Sequence, residues 1–476
     1  MLFSSIDFIF YFAPAALVFC ILCRSIGYKF YLLAIATASI AFYGFHVPEY
    51  VLLLGGSAVG NYLIAGWITE GRRRWLFIAG IALNLLVLGY FKYANFFLEN
   101  LAAATGAQLP HLNIVLPLAI SFVTFEQIAF LSDVRSGRVP RGSPLEYFAF
   151  ITLFPKLIAG PIIRYTEILP QLRKEQSWSK ETIVTGICIF CIGLFKKVVI
   201  ADTLAPLVAR VYDLADHGLV SSSDAVWATL AYGARIYFDF SAYSDMAIGL
   251  AWMLGIRLPI NFLSPYKATS IIEFWRRWHM TLSRFLRDYL YFSLGGNRRG
   301  EVRRYVNILL VMFLGGIWHG AGWTFVVWGT IHGVALAVNH AWRSFAPLPL
   351  VRITAWTPIA WLLTTVVVSF AWVFFEAKSM AAVGHVLRSL PFGIDSSMLG
   401  PKSFAAIGTA WAVALLCPNT AQVFGYVSDS DKMDWSAPPA IPLPTLPVTL
   451  ISALAFVLSM IFMVSGTPNA FIYFQF

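Results

Sequence analysis

The chain has 476 residues, 59% of them hydrophobic and only 12% charged, and its mean hydropathy is +0.72. Soluble domains carry about 25% charged residues, so the composition excludes a soluble globular enzyme and points to a polytopic helical membrane protein. The net charge of +10 does not describe a nucleic-acid binder, because arginine and lysine fall in short loops between apolar runs, as they do where loops face the cytoplasm.

Runs of spanning length, about 17–25 residues each, are predicted at 8–24, 30–46, 50–68, 75–91, 113–131, 183–201, 225–238, 243–256, 305–318, 323–342, 353–375, 403–418 and 446–466. The expected fold is all-α, with about eleven to thirteen transmembrane helices. Arg24 and Lys29 follow the first run and HVPE (46–49) the second; Arg72, Arg73 and Arg74 follow the third, Lys92 the fourth, and Arg135, Arg138 and Arg141 the fifth. This alternation predicts an outside N-terminus and cytoplasmic basic loops. MLFSSID lacks a basic n-region and carries Asp7, so the first run is expected to remain as a membrane helix.

The segment 148–163, FAFITLFPKLIAGPII, is interrupted by Pro155, Lys156, Gly160 and Pro161. Broken apolar backbone is tolerated in a bilayer only where protein or a cavity satisfies it, which predicts a re-entrant or interfacial piece. The pairs Cys20/Cys23 and Cys188/Cys191 have CxxC spacing but lie in apolar runs without further ligands, so they read as small buried hydrophobes, with neither metal nor disulfide assigned. Residues 428–447 are acidic, then proline-rich, and read as an extended loop; 388–402 is a second soluble stretch. No internal repeat is visible, which weakens an inverted-repeat transporter.

The segment 273–290, EFWRRWHMTLSRFLRDYL, is amphipathic at helical period. Phe274, Trp278, Leu282, Phe285 and Tyr289 share an apolar arc, extended by Trp275 and Leu286. Glu273, Arg276, Arg277, Arg284, Arg287 and Asp288 lie opposite, and His279 and Ser283 sit on the border. A helix of this pattern is expected in the interface plane, its basic face continuing into Arg298, Arg299, Arg303 and Arg304. The arginines read either as anchors to anionic headgroups or as a cationic mouth for a phosphate-bearing acyl carrier.

GGIWHGAGW (315–323) places His319 among Gly315, Gly316, Gly320 and Gly322. If 293–304 is cytoplasmic, a helix from Tyr305 carries His319 roughly 20 Å into the membrane. Intramembrane ionisable groups are functional candidates by default, and an imidazole takes a proton from a hydroxyl near neutral pH. The alternative is a structural hydrogen-bonding histidine. As a base, His319 should lose activity below about pH 6.5, the unperturbed histidine value. Asp239 reads as the ion-pair partner of Arg235, one turn earlier. Tyr243 and Ser244 are candidates to line a passage, His332 reads as packing support, and Lys196 and Lys197 as snorkelling side chains.

The stretches 273–300 and 314–333 resemble the membrane-bound O-acyltransferases, and within them the alginate O-acetyltransferase type. The resemblance extends to MLFSS (1–5), GYFKYANFF (89–97), LPLAISFVTFE (116–126), FPKLIAGPI (154–162), YFDFSAYSDMAIG (237–249) and FIYFQF (471–476), covering essentially the whole chain. It implies one membrane domain, 1–476, with N-terminal helices to 132, a catalytic core over 133–345 and C-terminal helices from 346. Its helices would ring a central funnel, with His319 near the constriction as catalytic base or acyl relay and His279 as the second catalytic position. Substrate contact is expected from Trp275, Arg276, Arg277, Trp278, Ser283, Arg287, Asn297, Trp318, Asp239 and Tyr243.

The resemblance further implies acetyl-CoA as cytoplasmic donor substrate, no cofactor and no metal. It places the chain in the bacterial inner membrane among lipids, with an extracytoplasmic acetyltransferase partner, a possible polysaccharide synthase complex and no nucleic acid. The product would be an O-acetylated exopolysaccharide, alginate-like or cellulose. The rival readings are a transporter or flippase for a polysaccharide precursor, and a scaffold that recruits the partner.

Overall fold

A computed structural model describes residues 1–45, 47–71, 73–174, 179–346, 356–390, 397–425, 443–466, 469 and 471–472. Arg72, most of the 428–447 loop, part of the 388–402 stretch and most of the terminal FIYFQF motif lie outside the described residues. Those described form helices, turns and loops, without a strand.

In chain order the elements used below are α1 (Asp7–Ile26), α2 (Tyr28–Gly44), α3 (Glu49–Gly71), α4 (Arg74–Thr105), α5 (Ile120–Arg135), α6 (Pro144–Thr152), α7 (Phe154–Leu157), α8 (Tyr165–Arg173), α9 (Lys180–Asp216) and α10 (Ser222–Met253). There follow α11 (Ile271–Arg277), α12 (Met280–Phe285), α13 (Glu301–His319), α14 (Trp323–Phe345), α15 (Thr357–Glu376), α16 (Met380–Ser389), α17 (Pro401–Leu416) and α18 (Leu446–Ser465). Six helices among the described residues, α1, α3, α4, α9, α15 and α18, are long and apolar enough to cross a membrane. The other predicted runs include helices that fall short in length or apolarity.

Two boundaries differ from the sequence reading for clear reasons. The run predicted at 113–131 is helical only from Ile120, with Ala119 left-handed at φ 65°. Pro110 and Pro117 remove donors and push their predecessors out of the helical region. Conversely, the runs at 225–238 and 243–256 form the single 32-residue helix α10. No proline interrupts it, and its acidic Asp239 is neutralised by a partner from α9.

The chain divides into two compact units that interleave in sequence: 1–194 with 243–260 and 424–457, and 195–242 with 261–423 and 458–476. In the first unit, Phe3 is fully buried, its ring 5.6 Å from Phe42 and 4.7 Å from Tyr243, which explains the MLFSS motif as packing. The 148–163 segment is broken as expected, α6 ending at Thr152 and α7 starting at Phe154. Lys156 there forms a buried ion pair with Glu126 and donates to the Ile151 carbonyl at 3.0 Å, so the interrupted backbone is satisfied by protein. Cys20, Cys188 and Cys191 are buried free thiols.

At the start of α6, Ser143 and Glu146 close a reciprocal capping box, and Glu146 Oε1 also accepts from Arg173 Nε at 2.7 Å and from Tyr28 at 2.8 Å. Burial alone would raise this carboxyl, but the bonds from Arg173, Ser143 and Tyr28 outweigh it and hold Glu146 down at about 2.

In the second unit α13 and α14 form a tight hairpin. Gly316 and Gly329 face each other so closely that a Cβ on Gly316 would lie 3.0 Å from the Gly329 Cα and run into the Phe325 carbonyl. This close approach, and not a strained dihedral, accounts for the Gly316 position.

Candidate active site

The second unit gathers both singled-out histidines. His319 is the last residue of α13, with Gly320 in extended conformation ending the helix. Eighteen rises from Glu301 carry it about 27 Å along the axis. Its ring is 3% exposed and lies edge-on to Trp328 at 4.9 Å, to Phe375 at 5.2 Å and to Trp318 at 4.9 Å. An aromatic cage from α13, α14 and α15 therefore fixes the imidazole plane.

His279 is placed differently from the expectation. The segment 273–290 is not one amphipathic helix: α11 stops at Arg277 and α12 starts at Met280. Between them His279 adopts φ 41°, ψ 53°, a left-handed conformation costly for a residue with a Cβ. Long-range backbone bonds sustain the break: Met280 N donates to the Asn261 carbonyl and Leu263 N to the Arg277 carbonyl, each at 3.0 Å. The loop from 261 thus pairs across the gap and turns His279 inward, where it is fully buried.

Asn261 then sets the tautomer. Its Oδ1 accepts from the Thr281 backbone N at 3.3 Å and the Thr281 hydroxyl at 3.0 Å, and meets His279 Nδ1 at 3.1 Å. A backbone N–H only donates, so the amide atom facing it is oxygen, and His279 Nδ1 must carry the proton it shares with that oxygen. The Nε2 lone pair is left available, and Nε2 is buried without a hydrogen-bond partner among the described residues. The His279 ring stands 4.7 Å from Phe240 and 6.5 Å from His319. That separation is too wide for a direct bond between the two imidazoles, and the hydrogen bond of His279 goes to Asn261 instead.

His332 is a packing residue, as read from sequence. Its Nδ1 accepts from Trp275 Nε1 at 3.2 Å, and its ring stacks parallel to Phe274 at 6.3 Å.

The remaining expected contacts scatter. Trp278 is buried against Phe274 and Trp372, at 5.5 and 5.0 Å, and Trp318 lies in the histidine cage. Ser283 donates to the Trp275 carbonyl at 3.2 Å. Arg277 pairs with Glu273 at 2.6 Å, and Arg287 with Asp288 at 2.6 Å; Arg276 and Asn297 are exposed. Burial would raise the Glu273 carboxyl, but bonds from Thr269 and Arg277 outweigh it and hold it below its ordinary value. Tyr243 belongs to the first unit, stacked on Phe3.

Asp239 is not paired with Arg235. Arg235 reaches Glu376 at 3.3 Å, while Asp239 takes Lys197 at 2.7 Å and accepts from the Ile472 backbone N at 2.7 Å. Lys197 is therefore buried between Asp239 and Asp202, not snorkelling. Two residues of the C-terminal motif pack beside the same carboxylate: Phe471 and Ile472 are fully buried, and Phe471 lies 5.8 Å from Phe240, the ring that touches His279. Sequence reasoning missed Asn261, Phe240 and Phe375. Asn261 lies in LPINFLSPYK, where nothing local distinguishes it from a loop polar residue.

The family model described as MBOAT, membrane-bound O-acyltransferase family, matches residues 80–383, a span that contains His279 and His319. The chain belongs to this family, and it is a membrane-bound acyltransferase. It is 41% identical over 428 residues to a peptidoglycan O-acetyltransferase of Helicobacter pylori, covering 82% of this chain and 80% of that protein. To a probable alginate O-acetylase AlgI of Pseudomonas aeruginosa it is 42% identical over 404 residues, 82% and 75% of the two chains. A probable alginate O-acetylase AlgI of Pseudomonas putida matches at 36% over the full length of both.

Proposed function

We propose that this protein moves acetyl groups from cytoplasmic acetyl-CoA across the bacterial inner membrane for O-acetylation of a secreted polysaccharide, with the buried His279–His319 pair as its reactive centre. The observation that carries this is the His279 Nε2 lone pair, left buried and unused once Asn261 holds Nδ1, on a ring 6.5 Å from that of His319. The relatives named for alginate and for peptidoglycan acetylation support acetyl as the group and a glycan as the acceptor.

In this reading a hydroxyl of the acceptor, or of a relay partner, lies between the two rings. His319 takes its proton as the oxygen attacks the acetyl carbonyl; the new C–O bond forms, the C–S bond breaks, and the proton passes to the departing CoA thiolate. His279 Nε2, which can only accept, orients the donor through an amide N–H of its pantetheine arm. Trp318, Trp328 and Phe375 keep water from the carbonyl. An acetyl-histidine relay uses the same atoms in two steps. An extracytoplasmic acetyltransferase completes the transfer, since the polymer lies outside the membrane.

The test is CoA release from acetyl-CoA by purified protein with its partner, comparing wild type with His319→Ala and His279→Ala at equal folded abundance. Loss of a general base removes about 10²–10⁴-fold. Release unchanged in both variants would remove the histidines from the chemistry, and no release by wild type would favour transport of a precursor.

A further inference from the structure

The second unit contains a cavity of about 490 Å³ that the acyl-transfer reading does not use, open between α11, α14 and α15. Its walls are apolar along most of their length: Ala335 and Val338 from α14, Leu363 and Val367 from α15. Val338 is 60% exposed and Leu363 54% exposed, so in a bilayer this groove faces acyl chains and not another part of the described unit.

One end is of opposite character. Arg343 lines it and donates to Ser270 Oγ at 3.2 Å. Beside it Arg304 Nη2 meets His340 Nδ1 at 2.7 Å, and Arg276 and Arg343 both act electrostatically on that imidazole. Arg304 and Arg343 therefore both reach the last turns of α14. The nearby carboxylate, Glu273, is held by Arg277 and Thr269. Among the described residues no carboxylate pairs with Arg276 or Arg343. Like charges gathered without a counter-ion call for an anion from outside the chain. Further along the groove Asn339 Oδ1 is buried without a hydrogen-bond partner, among the described residues.

The depth and the side of the membrane both fit a lipid. From Arg343 to Ala335 is eight residues of helix, about 12 Å, close to one leaflet of roughly 15 Å, half the hydrocarbon thickness. The arginine end is the one that the distribution of basic loops assigns to the cytoplasm, where anionic lipid headgroups give the surface its negative potential. A phosphate at Arg343 thus leaves an acyl chain lying along Val338, Leu363 and Val367.

We propose that this groove is a specific site for one anionic phospholipid of the cytoplasmic leaflet. Its phosphate is held by Arg343, and one acyl chain lies between α14 and α15. None of the residues that line the groove is among the rings packed around His319 or His279. The lipid would wedge these two helices at a fixed spacing and so steady Trp328 and Phe375, which they contribute to the His319 cage.

The experiment is native mass spectrometry on the full-length protein in mild detergent, titrated with phosphatidylglycerol or with phosphatidylcholine of the same chains. The expected result is one phosphatidylglycerol per chain, bound at least tenfold more tightly than phosphatidylcholine. Arg343→Gln, which removes the charge, and Ala335→Trp, which fills the groove, should each weaken that binding tenfold or more while the other lipid is unaffected. Folding of each variant is checked by circular dichroism, and the two perturb the site independently. Equal binding of the two lipids, or binding unchanged in both variants, overturns the proposal. Displacement of the lipid by CoA or by inorganic phosphate at matched concentration also overturns it, because the cations would then serve a soluble phosphate.

Discussion

The hairpin of α13 and α14 permits a prediction in which neighbouring residues answer oppositely. Gly315 and Gly316 are consecutive and both helical. A Cβ on Gly315 would meet only Leu286 Cδ1, at 3.5 Å, an ordinary contact. A Cβ on Gly316 would meet backbone atoms of α14: the Phe325 carbonyl, Gly329 Cα at 3.0 Å and Gly329 N at 3.1 Å. Alanine in a helix interior gains about 0.8–1.0 kcal/mol over glycine in propensity. At Gly315 nothing opposes that gain, so Gly315→Ala should be neutral or slightly stabilising. At Gly316 the obstructing atoms belong to a second helix and have no rotamer to move to, so the helices must separate, and overpacking costs about 1–3 kcal/mol. That outweighs the propensity term. Separation also draws His319, three residues on, from Trp328, whose ring is now 4.9 Å away. Thermal unfolding followed by tryptophan fluorescence in detergent, with CoA release on the same samples, checks both effects. Gly316→Ala should lower Tm and activity together, while Gly315→Ala retains both. Equal behaviour of the two variants would refute the packing argument.

Asn261→Leu removes the acceptor that holds the His279 Nδ1 proton and with it the orientation of the donor; kcat/KM should fall by about 10²-fold, the cost of roughly 1 Å of misplacement. A purely structural Asn261 would instead lower folded yield and leave kcat/KM of the folded fraction intact. Lys197→Met leaves Asp239 and Asp202 buried without their cation, which costs about 3–5 kcal/mol; adding Asp239→Asn should recover part of the loss in Tm, and an unaffected single variant would deny the ion pair its role. Glu146 tests pH. Its folded value is held at about 2, below the unfolded value of about 4.3, so its contribution is full above the unfolded value and is lost as pH falls towards 2. Between pH 5 and 3, Tm of wild type should therefore drop more steeply than that of Glu146→Gln, and parallel profiles would show that Arg173 and Tyr28 do not hold the carboxylate.

Composition and hydrophobic period by themselves determined that this is a helical membrane protein and that His319 stands at the end of a helix. They also located the breaks in 148–163, whereas the part Gly316 and Gly329 play in letting α13 and α14 touch emerged only from the packed hairpin. The features legible in sequence are local: an apolar run, a proline or a glycine acts on the backbone within a turn of itself. The tertiary structure decided what depends on partners distant in sequence. Asn261 pairs with His279 across 18 residues and breaks a helix that its own amphipathic pattern would have continued. Asp239 takes Lys197 and not Arg235, although Arg235 stands one turn away on the same helix. In an apolar interior a charge must find its counter-ion among the groups packed against it, and that neighbourhood is fixed only when the helices meet.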